Sequence, residues 1–148
     1  MSYFGFDEET GLELRVRPDI EIQLQHSRIG SDLKTVDLGT VKQERLRDRL
    51  HREIIERDYH LSAAMYCDVA NLDQFSWIFV NKTPGYHWVV VVEASTELLE
   101  LGRLEYRRTL RMINDAMETN IWPAPITEDY TDYLNDFDVR RLESLGME

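Results

Sequence analysis

The chain has a single cysteine, Cys67, so no disulfide can form within it; this suits a reducing compartment such as the cytoplasm. It has no apolar run near the ~20 residues that a membrane-spanning helix requires, and WVVVV reads as a buried strand rather than an anchor. MSYFGFDEE has no basic stretch leading into an apolar one, so no secretory signal pattern is visible. Repeats, low-complexity tracts and Gly/Ser linkers are also missing, and 148 residues suit one domain with a core of its own. Positive charge is scarce: 17 Lys and Arg stand against 28 Asp and Glu, a net charge of −11. Such a field disfavours polyanions. The excess is uneven, however, because Glu128, Asp129, Asp132, Asp136 and Asp138 follow one another with no base between them. The charge pattern therefore divides the chain into a core, 1–125, and an acidic tail, 126–148.

Within the core, YFGF and LELRVRP read as short strands around the acidic turn DEETG. IEIQLQ alternates, with Ile20, Ile22 and Leu24 on one face, and predicts a strand with one buried side. HSRIG reads as a turn and SDLKTV as the next strand, so Leu12 to Val36 is expected to form an antiparallel meander. Thr40 to about Asp58 has a helical stripe of Val41, Leu46, Leu50 and Ile54. HLSAAMYCDVA predicts a second helix, small enough to pack closely. FSWIFVN and YHWVVVVEA predict a hairpin turning at KTPG. Ser95 is placed to cap a long helix with Glu97 in its first turn. Leu99, Gly102, Tyr106, Leu110, Ile113 and Met117 form its core stripe, and the prolines of IWPAP end it. A short helix is expected near Val139 to Leu145. Strands, helices, hairpin and helix in this order imply an α/β domain, a mixed sheet flanked by helices.

The scarcest base supplies the sharpest functional signal. There are three lysines against fourteen arginines, and one of them, Lys34, stands two residues after Asp32. If the strands around HSRIG pair, Asp19 and Asp32 converge at one end of the hairpin, and Lys34 shares a face with Asp32. Two neighbouring carboxylates repel, and a divalent cation with oxygen ligands, Mg²⁺ or Mn²⁺, resolves the repulsion. A lysine beside it can position water and offset charge growing on a phosphate. The alternative is a surface hairpin whose charges are merely solvated.

Further motifs give these residues a context. Arg17-Pro18-Asp19 followed by Asp32-Leu33-Lys34-Thr35 resembles the PD-(D/E)XK nuclease signature, most closely that of the RecE-type (exodeoxyribonuclease VIII-like) exonucleases of phages and prophages. Tyr59-His60-Leu61-Ser62-Ala63-Ala64-Met65-Tyr66 is similar to that family's YHxQxAxY helix. Leu101 to Leu110 (LGRLEYRRTL) resembles its late helix, and Ile121-Trp122-Pro123-Ala124 its WP ending. The resemblance spans about Leu12 to Ala124. It implies a restriction-endonuclease-like fold, and Asp19 and Asp32 as metal ligands with the Leu33 carbonyl as a third. It also implies Lys34 as the catalytic lysine, and Thr35, Ser62 and Tyr66 as supporting residues. The implied activity is Mg²⁺- or Mn²⁺-dependent digestion of one strand of linear duplex DNA by a homo-oligomer, with a single-strand annealing protein as partner. Two departures stand out. Position 62 is Ser where the family motif has Gln, a longer side chain that both donates and accepts. The family's upstream helical region, which brings a His or acid near the metal, has no counterpart before Asp19; Asp7, Glu8 and His26 are candidates for its role. These departures support an alternative: a truncated, inactive relic of the same fold that acts by binding or inhibition.

Other residues read as follows. Arg103, Arg107 and Arg111 lie at i, i+4 and i+8, a ridge that suits DNA phosphates or, equally, a solvated face paired with Glu100 and Glu105. Arg45, Arg49 and Arg52 form a second basic strip. His60 reads as a packed, hydrogen-bonded histidine before it reads as a ligand. Trp77, Trp88 and Trp122 read as packing residues, and Cys67 as a small buried hydrophobe.

Overall fold

Two short strands open the chain. β1 (Tyr3–Phe6) and β2 (Glu13–Val16) pair antiparallel as a sheet of their own. Their connection is held by Asp7, whose Oδ2 accepts from Thr10 N at 2.8 Å and from Thr10 Oγ1 at 2.6 Å. The protein is seen here as a computed structural model that describes residues 1–126 and 128–146.

A mixed four-stranded sheet follows, in the order β3-β4-β5-β6. β3 (Ile20–Leu24) and β4 (Ser27–Val36) form an antiparallel hairpin, with Ile20 opposite Ser31 and Leu24 opposite Ser27. The expected meander therefore breaks after β2, which pairs with β1 and not with β3. The turn is also tighter than HSRIG suggests: Gln25 takes φ 50° and β4 already begins at Ser27. β5 (Gln74–Asn81) runs parallel to β4, with Asp32 opposite Trp77 and Lys34 opposite Phe79. β6 (Trp88–Glu93) closes the expected hairpin with β5. The alternation of IEIQLQ does not report burial: Ile20, Ile22 and Leu24 are 39, 45 and 56% exposed, because β3 packs substantially on β4 alone and no helix layer covers its faces.

The parallel step from β4 to β5 needs a crossover, which α1 (Gln43–Glu56) and α2 (Tyr59–Ala70) provide. α1 buries Leu50 and Ile54 and turns its arginines outward. α2 is enclosed on two sides. Ala63, Cys67 and Ala70 join the core made with Phe75, Trp77 and Phe79, while Ala64 packs with Leu14, Tyr106 and Leu110. A helix buried on opposite faces has no polar stripe to show, which explains its apolar, small-residue sequence.

α3 (Thr96–Thr119) starts where expected, with Ser95 Oγ accepting from Leu98 N at 3.1 Å. It lies so close to α2 that a Cβ on Gly102 would stand 2.2 Å from the carbonyl oxygen of His60. The stripe is buried at Gly102, Tyr106 and Leu110, but Ile113 and Met117 are exposed and Ala116 is the buried residue of those turns. The chain then leaves the core. Trp122 is 62% exposed and packs nothing away, unlike the fully buried Trp77. α4 (Asp136–Gly146) buries no residue. The architecture is α/β, a mixed sheet flanked by helices, and is compatible with a restriction-endonuclease-like fold. No helix among the described residues is long and apolar enough to cross a membrane.

Candidate active site at the β3–β4 hairpin

One step past the Ile20–Ser31 pair, the hairpin places Asp19 and Asp32 side by side. Asp19 Oδ2 accepts a hydrogen bond from Leu33 N at 3.1 Å, which fixes its carboxylate against the backbone of β4. Asp32 faces α2 and is only 5% exposed. A carboxylate that deep needs a compensating cation, and Lys34 Nζ lies 3.1 Å from Asp32 Oδ2. The same ammonium sits 4.7 Å from the centre of the Tyr59 ring, so the lysine is held from two sides. Among the described residues, no hydrogen bond engages the other oxygen of either carboxylate.

α2 forms the wall opposite. Tyr59, Ser62 and Tyr66 recur at i, i+3 and i+7 and share its sheet-facing side; Tyr59 packs on Phe79 and Tyr66 on Phe75. Burial raises the Tyr66 hydroxyl above its ordinary pKa; the Asp32 and Asp19 charges push it the same way and Lys34 opposes them. Tyr66 therefore feels all three hairpin charges. Ser62 is half-buried, and its hydroxyl makes no hydrogen bond among the described residues. Leu33 and Thr35 alternate to the other face of β4 and are exposed. A hollow of about 490 Å³ beside Lys34 is lined by Thr35, Glu53, Arg57, Tyr59 and Lys82. The residues suggested for the upstream role lie elsewhere. Asp7 is engaged with Thr10, Glu8 lines a hollow beside α3, and His26 is at the turn end of the hairpin, away from Asp19.

The arginine ridge on α3 sits on the opposite side of α2. Asp68 is two residues past Tyr66, which turns it about 200° around the helix, and Arg103 grips it through Nε and Nη2 at 3.0 and 2.8 Å. Arg103 Nη1 also donates to Glu100 at 2.6 Å, and the Tyr106 hydroxyl donates to Asp68. Burial would raise the Asp68 carboxyl, but Arg103 and Tyr106 outweigh it and hold the group below its ordinary value; burial and Asp68 raise Tyr106 to about 12. Arg111 pairs with Glu9 at 3.0 Å, and Arg107 lines the hollow that holds Asp7 and Glu8. Glu105, expected to pair with an arginine, meets His60 instead. The Asp68 cluster was not legible beforehand, since an i, i+3 or i, i+4 rule cannot find a partner on another helix. Cys67, beside Asp68, is buried, and burial raises its thiol to about 11.

His60 is 1% exposed. Its Nδ1 donates to the Ile54 carbonyl at 3.2 Å, and its Nε2 lies 2.6 Å from Glu105 Oε2. With Asp58 these residues form a group whose ligand atoms lie within 4.8 Å of one another and that could hold a metal ion. As it stands, the His60–Glu105 contact has hydrogen-bond length and clasps α2 to α3.

No family model matches the chain, and no curated protein does. Among solved structures, the "Crystal structure of SSO0001" is similar at 11% identity with a TM-score of 0.42, over 76% of this chain and 48% of that one. The chain thus spans about half the length of that structure, and a likeness at this level carries no argument.

Proposed function

We propose that the chain is a metal-dependent nuclease of the PD-(D/E)XK type, acting as a RecE-like exodeoxyribonuclease on linear duplex DNA. The observation that carries this reading is the meeting of Asp19, Asp32 and Lys34 at one end of the β3–β4 hairpin, opposite Tyr66. The donor set fits a hard cation: two carboxylates, each with a second oxygen to offer, and the Leu33 carbonyl between them. Asp19, Asp32 and Leu33 would hold Mg²⁺ or Mn²⁺, which supplies Lewis-acid polarisation of the phosphate and acidifies bound water. Lys34, fixed by Asp32 and Tyr59, presents its ammonium to the oxygens on which charge grows. Water oxygen bonds to phosphorus as one ester P–O bond breaks, leaving a phosphomonoester and an alcohol. Tyr66, on the sheet-facing side of α2, feels the charges of Asp32, Lys34 and Asp19. A homo-oligomer and an annealing protein as partner belong to the same proposal.

The test is release of nucleotides from linear duplex DNA with Mg²⁺. Wild type should exceed Asp32→Ala and Lys34→Ala by at least 100-fold, on the order of what positioned charge contributes; equal rates would refute the enzyme reading. A second reading, an inactive relic that acts by binding, is favoured by the unpartnered Ser62 hydroxyl and by the way Lys34 already compensates Asp32. Calorimetric titration separates the two. Tight Mn²⁺ binding that Asp19→Asn and Asp32→Asn abolish counts for the enzyme, and no binding counts for the relic.

A further inference from the structure

The cations of α1 and α3 differ in what already occupies them. On α3, Arg103 is held by Asp68 and Glu100, and Arg111 by Glu9. On α1 and its flanks, Lys42, Arg45 and Arg52 are exposed and make no ion pair among the described residues. Arg49 reaches Glu53 only at 4.0 Å. These four cations line one hollow of about 530 Å³, where Asp48 is the one acid. Glu53 links this hollow to the next: it touches Arg49 and, at 2.5 Å, Arg57, and both Glu53 and Arg57 line the hollow that contains Lys34 and Lys82. All three lysines of a chain with net charge −11 therefore fall on one path that ends beside Asp32.

We infer that duplex DNA lies along α1, its phosphates contacted by Lys42, Arg45, Arg49 and Arg52, and that this track delivers the strand past Arg57 and Lys82 to the Asp32–Lys34 site; on α3, Arg103 and Arg111 are already held by acids. The inference rests on the nuclease reading for its destination but not for its contacts. Lys42 to Arg57 spans about 22 Å at 1.5 Å per residue. A duplex carries one phosphate charge per ~1.7 Å of axis, so a track of this length faces about six base pairs. An ion-paired arginine must lose its partner before it can take a phosphate, whereas an unpaired one exchanges only water and counterions.

The experiment is fluorescence anisotropy of a labelled linear duplex in EDTA, so that binding is read without turnover. Wild type is compared with Arg45→Gln/Arg49→Gln/Arg52→Gln and with Arg103→Gln/Arg111→Gln on α3, each checked for native circular dichroism. Three lost phosphate contacts should flatten the log K against log salt slope by about 2.7. The affinity gap between wild type and the α1 variant should then narrow roughly 40-fold from 50 to 200 mM salt. The α3 variant should follow wild type. An α1 variant that binds like wild type, an α3 variant that loses as much, or a wild type that does not bind duplex overturns the inference. Hydrolysis that persists in the α1 variant with unchanged KM removes the track and leaves the nuclease reading standing. Binding through α1 without any hydrolysis removes the nuclease reading and leaves the track.

Discussion

Gly102→Ala isolates the contact on which the α2–α3 pair is built. In an exposed helix interior this change stabilises by about 1 kcal/mol, because alanine restricts the unfolded chain. Here the new methyl would lie 2.2 Å from the His60 carbonyl oxygen, 2.6 Å from its carbon and 3.0 Å from Leu61 N. All three are backbone atoms, so no rotamer change relieves them, and α3 must move away. Overpacking of this kind costs ~3 kcal/mol at the upper end of its usual range, which leaves a net loss of about 2 kcal/mol. The shift would also part His60 from Glu105 and Tyr106 from Asp68, whose geometry depends on the same approach. Urea unfolding followed by circular dichroism measures the loss directly, and Tm should fall by roughly 4–8 °C. A variant as stable as wild type, or more stable, would refute the packing argument and with it the structural account of the Gly in LGRLEY.

Two other outcomes follow from the charges. Asp68 titrates below its ordinary value in the folded protein, so the unfolded chain binds more protons, and this group's stabilisation is present above about pH 3.8 and lost as pH falls through the lowered folded value. Asp68→Asn should be less stable at pH 7 and show a flatter decline between pH 4 and 2; a decline as steep as wild type in urea midpoints would contradict the assignment. Residues 125–148 carry seven acids against Arg140 and Arg141, nearly half of the net charge of −11. Deleting everything after Ala124 should raise duplex affinity at low salt and have little effect at 0.5 M, where screening shortens the field to a few ångströms; unchanged affinity at low salt would separate the tail from DNA binding.

Local signals in the sequence located most elements. The FSWIFVN–YHWVVVVEA hairpin and the Ser95 cap each follow from neighbours a few residues apart and appear where expected, and the Gly102 stripe is buried from Gly102 to Leu110. What escaped depends on distant partners. The parallel pairing of β4 with β5 joins residues more than forty apart, and the pairing of β2 with β1 leaves β3 an edge, its apolar side exposed to solvent. The register of Asp32 and Lys34 was readable because it is a period-2 property of one strand. The ring that flanks the Lys34 ammonium was not, since Tyr59 comes from α2. For the same reason Arg103 and Arg111 looked available: Asp68 and Glu9, which hold them, lie outside α3.

β3 borders β4 from Ser27 to Ser31 and β5 borders it from Ile29 to Val36, so Ile29 to Ser31 is held on both edges. A stretch in that position is among the last to open when a domain breathes, and its amides exchange with solvent on the slowest timescale the fold allows. Hydrogen exchange should therefore leave Gly30 and Ser31 protected long after β6 and the C-terminal helix have turned over, while Leu33, whose amide is held by the Asp19 carboxylate, exchanges sooner. Asp32 and Lys34 thus follow directly on the most persistent stretch of the sheet.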